Sequence, residues 1–165
     1  MADDVTLRDA TVADAGAING IYNHYVRAST CTFQTVEVTE PERVAWLEEH
    51  DEARPVVVVE RDGAVVAWGA LSRFRARQAY DTTVEVSVYV AASHVRQGLG
   101  RTLLEHLLGR ARTAGHHAVM ALIAADQEPS VALHAKYGFV EVGRLRESGR
   151  KFDRWLDVVY MELVL

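Results

Sequence analysis

Two periods of hydrophobicity meet between residues 83 and 113. Along TVEVSVYV (83–90), Val84, Val86, Val88 and Val90 alternate with Glu85, Ser87 and Tyr89, the period of two that marks a strand. From Leu99, the residues Leu103, Leu104, Leu107, Leu108 and Ala111 recur at helical spacing, while Arg101, Glu105, Arg110 and Arg112 face away. This predicts an amphipathic helix that stops at Gly115. Between the two periods stand Gly98 and Gly100.

The same reading extends along the chain. Thr6–Arg8 reads as the end of a short first strand. Thr11 and Asp14 have the spacing of a capping box, followed by helical positions Val12, Ala15, Ile18, Tyr22, Tyr25 and Val26. A loop with Thr30, Thr32 and Thr35 precedes a second helix starting near Pro41. PVVVVERDGAVVAWGALSRF is a strand, an Asp62-Gly63 turn and a second strand. Residues 75–82 read as loop. HHAVMALIAA is a strand buried on both faces, and Pro129–Tyr137 is a short helix stopped by Gly138. FVEVGRLRESG and RWLDVVYMELVL are two final strands around a loop rich in Arg, Lys and Gly. The order β-α-α-β-β-β-α-β-α-β-β implies an α+β fold, one mixed sheet with helices on both faces.

Length and composition narrow the class. With 165 residues, 49% of them hydrophobic, the chain suits a single domain spanning 1–165. A net charge of −5 argues against nucleic acid or an anionic membrane as partner. The single cysteine, Cys31, excludes an internal disulfide framework and fits a reducing compartment. There is no apolar signal core at the N-terminus and no run near the ~20 residues that span a bilayer. A cytoplasmic protein is expected. No cluster of His, Cys and carboxylates has metal-ligand spacing, so no metal is expected.

The glycine pair carries the first chemistry. Gly98 and Gly100 let the backbone approach a ligand and direct free N–H groups at it from a helix start, which suits a phosphate. A helix start with no ligand reads the same way from this pattern alone. GxxxxGK[ST] is absent, so no lysine reaches the terminal phosphates of a nucleotide. A dinucleotide fingerprint would need a small residue where Leu103 stands. A pyrophosphate held by main-chain amides remains, with Arg96 or Arg101 adding charge.

Four segments, FRARQAYDTTVEVSVYV (74–90), QGLGRTLLEHLL (97–108), PSVALHAKYGF (129–139) and VGRLRESGRKFDRWLDVVYM (142–161), together resemble the GNAT family of N-acetyltransferases, over essentially the whole chain. Within it, the chain is most similar to the phosphinothricin and methionine-sulfoximine N-acetyltransferase branch. The resemblance implies a mixed, mostly antiparallel central sheet flanked by helices, acetyl-CoA as co-substrate, and a homodimer. It makes Val95, Arg96, Gln97, Gly98, Leu99, Gly100, Arg101 and Thr102 the pyrophosphate loop and first helical turn. Val88 and Val90 then pair with the pantetheine arm, and Gln127 and Ser130 contact the cofactor. Val95 departs from the family's usual Arg or Gln but still offers its N–H. Gln127 replaces a common Asn, and His134 replaces the family's tyrosine, as it does in this branch.

Acetyl transfer to an amine needs a neutral amine, a held oxyanion and a proton for the departing thiolate. An α-amine of pKa ~8 is mostly protonated at neutral pH, at roughly 1.4 kcal/mol per unit of mismatch. Glu85, on a valine-rich strand where burial raises a carboxyl, is the candidate base, directly or through water. A paired or surface strand residue is the alternative for Glu85. His134 is the second candidate for proton transfer, or else a packing histidine. Tyr137 and Tyr89 are weaker candidates for protonating the thiolate, and a strand N–H such as that of Val88 is the candidate oxyanion donor. Arg75 and Arg77 suit a substrate carboxylate. Lys151 and Arg150 suit a phosphinate or sulfoximine oxygen, and Phe33, Phe152 and Trp155 are candidate pocket walls. The reading is therefore acetylation of a small glutamate-like amino acid: phosphinothricin, methionine sulfoximine or methionine sulfone. The alternatives are another amine (a polyamine, an aminoglycoside, a protein N-terminus) and a non-catalytic acyl-CoA-binding regulator.

Overall fold

The computed structural model describes residues 5–165. Its elements are β1 (Val5–Asp9), α1 (Ala15–Ala28), α2 (Glu40–Glu48), β2 (Val56–Arg61), β3 (Ala64–Arg73), β4 (Thr83–Val90), α3 (Leu99–Thr113), β5 (Ala118–Ala124), α4 (Glu128–Lys136), β6 (Val140–Lys151) and β7 (Arg154–Val164). The predicted order and the α+β class hold. The strands form one sheet in the order β1-β2-β3-β4-β5-β7-β6, antiparallel except for the parallel pair β4–β5.

Local chemistry sets several of the boundaries. Thr11 N–H donates to the Asp14 carboxylate at 2.8 Å, opening a 3-10 turn over Val12–Asp14 that leads into α1. Asp14 also receives both terminal nitrogens of Arg8 at 2.8 Å, and Arg8 reaches Glu60 at 2.8 Å. That network ties β1 to β2 and to the helix start. Thr39 and Glu42 form the capping box of α2, with Pro41 in its first turn. Asp62 and Gly63 both have positive φ, as a two-residue hairpin requires.

The sheet separates two cores. On one face, Ile18 and Ile21 of α1 and Leu47 of α2 meet Val56, Val58, Trp68 and Ala70. On the other, Leu103, Leu104 and Leu107 of α3 meet Val57, Val59, Val84 and Val119, with Val131 and Leu133 of α4 alongside. These three leucines have no exposed surface, and burying each is worth about 1.5–3 kcal/mol. The alternation in TVEVSVYV thus sends its valines to α3 and Glu85, Ser87 and Tyr89 to the α1–α2 side.

One correction concerns the last hairpin. The loop expected over 150–153 is shorter: Arg150 and Lys151 belong to β6, Lys151 pairs with Arg154, and the chain turns through Phe152 and Asp153, both at positive φ. Neither is glycine, so composition did not mark a two-residue turn there. Cross-strand pairing imposes it.

The feature that positions a site lies at the centre of the sheet. β4 and β5 share three register pairs, Thr83–Ala118, Val84–Val119 and Glu85–Met120, and then part. Beyond Glu85, β4 stays with β3 as far as Val90, and β5 stays with β7 as far as Ala124. A wedge opens between them, with Glu85 at its closed end.

Candidate active site

The N-terminus of α3 sits at the open end of this wedge. A Cβ built on Gly100 would lie 3.8 Å from Val90 Cγ2, 3.9 Å from Val88 Cγ1 and 3.8 Å from Leu133 Cδ2. The first turn of α3 is therefore seated between the end of β4 and α4. Arg96 and Gly98 both adopt left-handed φ, +62° and +82°, which curls the chain into the helix. The first helical main-chain bond runs from Thr102 N–H to Gly98 O at 3.0 Å, and Gly98 as cap offers no side chain. The N–H groups of Leu99, Gly100 and Arg101 are thus the orphan donors of a helix start, reinforced by the helix dipole. Val95 is extended and exposed, leaving its main chain accessible.

Side chains brace the loop. The Thr102 hydroxyl donates back to Gly98 O at 3.2 Å, and Arg101 Nε donates to the Tyr137 hydroxyl at 3.1 Å. Gln97 Oε1 accepts from Arg61 at the end of β2. Arg61, whose buried Nε has no protein partner, is a strand residue bracing the loop that sequence reasoning missed. It belongs to a strand distant in sequence and carries no motif.

Glu85 is half-buried, and burial pushes its carboxyl above the usual range, with Arg75 pulling it partly back. Arg75 is thus near enough to Glu85 for its charge to be felt, without an ion pair between them among the described residues. Arg75 and Arg77 are both exposed, and Arg75 lies over the Phe74 ring at 4.8 Å. His134 is buried on α4, edge-on to Phe139, with ring centroids 5.1 Å apart. Its Nδ1 lies 2.8 Å from the main-chain oxygen of Ser130. A carbonyl only accepts, so Nδ1 carries the proton and Nε2 of the neutral ring is an acceptor. Burial lowers the His134 pKa and favours that neutral form, against the opposing Ser130 bond. Glu85 faces the α1–α2 side, whereas the Phe139 partner of His134 belongs to the α3 core. The two candidates approach from opposite faces, and no hydrogen bond joins them among the described residues.

Other expected contacts are placed differently. Lys151 is buried, and its Nζ donates to the main-chain oxygens of Ser29 (2.6 Å), Thr32 (2.8 Å) and Tyr25 (3.3 Å). All three protons are used to anchor the end of α1, leaving none for a substrate oxygen. The expectation of a substrate contact at Lys151 is corrected accordingly. Gln127 Nε2 donates to Thr30 Oγ1 at 2.8 Å, and Thr30 donates to Asp126 at 2.8 Å. This clasp joins the loop after α1 to the start of α4 and uses one of the two Gln127 amide N–H donors. Ser130 is half-buried in the first turn of α4, its N–H bonded to Gln127 O at 3.0 Å. Phe33 lies against β6, where a Cβ on Gly149 would meet its ring at 2.3 Å, so the ring requires glycine there. Phe152 and Trp155 are exposed at the hairpin tip, with Arg150 over the Trp155 ring at 5.4 Å. Tyr89 is stacked on Trp68, and burial holds its hydroxyl far above the ordinary tyrosine range. Among the described residues, no group of three His, Cys, Asp or Glu side chains is placed to hold a metal ion, and no helix is long and apolar enough to cross a membrane.

The arrangement can do the following: bind a diphosphate at the α3 amides, admit an extended arm into the wedge, and present a carboxyl of raised pKa at its closed end. Comparison with known proteins shows the family. The profile of the Acetyltransferase (GNAT) family matches residues 18–139. A phosphinothricin N-acetyltransferase of Streptomyces viridochromogenes is 40% identical over 158 residues, 96% of this chain and 86% of that protein. An L-methionine sulfoximine/L-methionine sulfone acetyltransferase of Salmonella typhimurium is 37% identical, covering 98% of this chain and 95% of that one. The crystal structure of a GNAT superfamily phosphinothricin acetyltransferase from Sinorhizobium meliloti in complex with AcCoA superposes with a TM-score of 0.91 at 34% identity, over 98% of this chain and 88% of that chain. Sequence, fold and site geometry therefore converge: the chain belongs to the GNAT family of acetyltransferases.

Proposed function

We propose that the protein transfers the acetyl group of acetyl-CoA to the α-amine of a small glutamate-like amino acid, of the phosphinothricin, methionine sulfoximine and methionine sulfone type. The observation that carries this reading is the pairing of an amide cradle at the wedge mouth with Glu85 at its closed end. Acetyl-CoA supplies an activated acyl thioester. The residues present fit it. The amides of Leu99, Gly100 and Arg101 suit its pyrophosphate. The β4 main chain at Val88 and the Val90 N–H, beyond the last β4–β5 pair, are available to its pantetheine amides and acyl oxygen, whereas the Val90 carbonyl accepts from the Tyr25 hydroxyl.

Glu85 then accepts a proton from the acceptor ammonium. A carboxyl raised by burial is a better base near neutral pH than a solvated one. Arg75 and Arg77 bring positive charge to the same end, which suits an amino-acid carboxylate and disfavours a cationic acceptor. His134, neutral and with Nε2 as acceptor, is suited to relaying a proton from its own face of the sheet. The same reading takes the chain as a homodimer, supported by apolar side chains left exposed along the last hairpin at Val140, Val142, Leu145 and Trp155.

The test is release of free CoA thiol over a panel of amines. Methionine sulfoximine, methionine sulfone and phosphinothricin should turn over, and spermidine should not. Turnover of spermidine in preference to the three amino acids would replace the acceptor assignment. Acetyl-CoA binding without thiol release from any amine would favour a regulator.

A further inference from the structure

We propose that Ser72 and His50 form the exit path for the proton that Glu85 takes from the acceptor amine, an inference that rests on Glu85 as base. Ser72 of β3 is the register partner of Glu85 across the antiparallel β3–β4 pair. Residues opposed in this way share a face, with Cβ atoms about 4.5–5.5 Å apart. Ser72 Oγ lies 3.0 Å from His50 Nε2, and His50 Nδ1 lies 2.7 Å from the main-chain oxygen of Trp46. The Trp46 carbonyl can only accept, so Nδ1 holds the imidazole proton and Nε2 accepts from the Ser72 hydroxyl. The Ser72 hydroxyl thus donates toward His50 and faces Glu85 by register. No direct hydrogen bond joins Ser72 to Glu85 among the described residues, so one water between carboxyl and hydroxyl completes the line.

His50 connects this line to the surface. It lines a cleft of about 410 Å³ with Trp46, Glu49, Arg54, Ser72 and Arg73. The cleft lies on the α1–α2 side, away from the α3 amides.

The reaction needs such a path. Converting a protonated amine and a thioester into an amide and a thiol releases one proton overall. The ammonium gives that proton to a Glu85 oxygen. The Glu85 carboxyl passes it through the bridging water to Ser72 Oγ, while the Ser72 proton moves to His50 Nε2. The resulting imidazolium keeps Nδ1–H on Trp46 and gives its Nε2 proton to cleft water that takes the place of Ser72 Oγ, and Glu85 returns to carboxylate. No bond other than O–H and N–H changes along the relay. Burial keeps resting His50 neutral and able to accept. Glu49 and Asp51 favour its charged form and Arg54 disfavours it, while Arg73 is paired with Asp81 at 3.5 Å.

Ser72 and His50 act through Glu85, so they are positioning residues whose signature is in turnover rather than binding. Steady-state thiol release by the full-length enzyme, with acetyl-CoA and methionine sulfoximine, tests this. Ser72→Ala and His50→Gln should each lower kcat about tenfold, a fraction of the 10²–10⁴ carried by a complete acid–base step, with both KM values within about twofold of wild type. Ser72→Thr, which keeps the hydroxyl, should retain kcat, and added imidazole should restore kcat to His50→Ala. Unchanged kcat in Ser72→Ala and His50→Gln overturns the relay. So does a loss that Ser72→Thr shares and imidazole does not relieve, because that pattern belongs to packing. Glu85→Gln measured alongside separates the two levels: a wild-type rate there removes the base itself, whereas a deep loss beside an unimpaired Ser72→Ala removes only the exit path.

Discussion

The two ends of the β4–β5 wedge are built from different materials. At the open end, Arg96–Arg101 presents main-chain N–H groups, and side-chain identity hardly enters: Val95 is exposed and Leu99 is buried in the α3 core. At the closed end, one carboxyl of raised pKa, Glu85, stands within reach of the Arg75 charge and is the proposed seat of the chemistry. A site made of backbone depends on φ and ψ, so it tolerates substitution wherever the dihedrals survive. A site made of one titratable group depends on that group alone. The difference teaches that binding and turnover should respond to different mutations.

The largest expected effect is at the closed end. Glu85→Gln should lower kcat by about 10²–10³ through loss of the base, while calorimetry shows acetyl-CoA affinity unchanged. Equal losses in affinity and turnover would merge the two regions into one. In the wild type, kcat should fall as pH drops through the Glu85 pKa, with a midpoint above the ordinary 4.5 because burial raises it. The linked stability sign is opposite to that of a salt-bridged carboxylate. A raised folded pKa means ionised Glu85 destabilises the fold at pH 7, an effect that disappears below pH 4.5, so Glu85→Gln should raise Tm slightly.

At the open end the expected effect is smaller and appears in binding. Gly98 has φ +82° and open space around its Cβ position, so a side chain there meets strain rather than a clash. A β-branched residue in that conformation costs of order 1–3 kcal/mol. Gly98→Val should therefore raise the Kd for acetyl-CoA about tenfold or more with kcat little changed, as measured by titration and saturation kinetics. The smallest effect is expected at Val95, whose side chain is exposed and whose contribution is its main chain. Val95→Ala should leave the acetyl-CoA KM within about twofold. A larger shift would show that side chains, too, build this end.

What could be read in advance follows the range of the forces involved. TVEVSVYV and the α3 leucines were legible because period two and period 3.6 are local, and the packed structure buries the residues those periods select. Asp62-Gly63 was legible because its dihedrals favour those residues. A loop before Arg154 was legible but its two-residue length was not, since no glycine marks the Phe152-Asp153 turn and β6–β7 pairing runs up to Lys151 and Arg154. Lys151 was misread for a similar reason. Its charge suggested a ligand, but its partners are carbonyls at positions 25, 29 and 32, more than a hundred residues away in the chain.

By itself, then, the amino-acid order determined the element succession, the α3 cradle and the face of β4 that carries Glu85, because each depends on neighbours within a few residues. Only the tertiary structure decided that β4 and β5 part after Glu85, that Lys151 is an anchor, and that Ser72, bonded to His50, is the cross-strand partner of Glu85. Those outcomes depend on which distant segments are hydrogen-bonded to one another, and strand register across a folded sheet has no local signature.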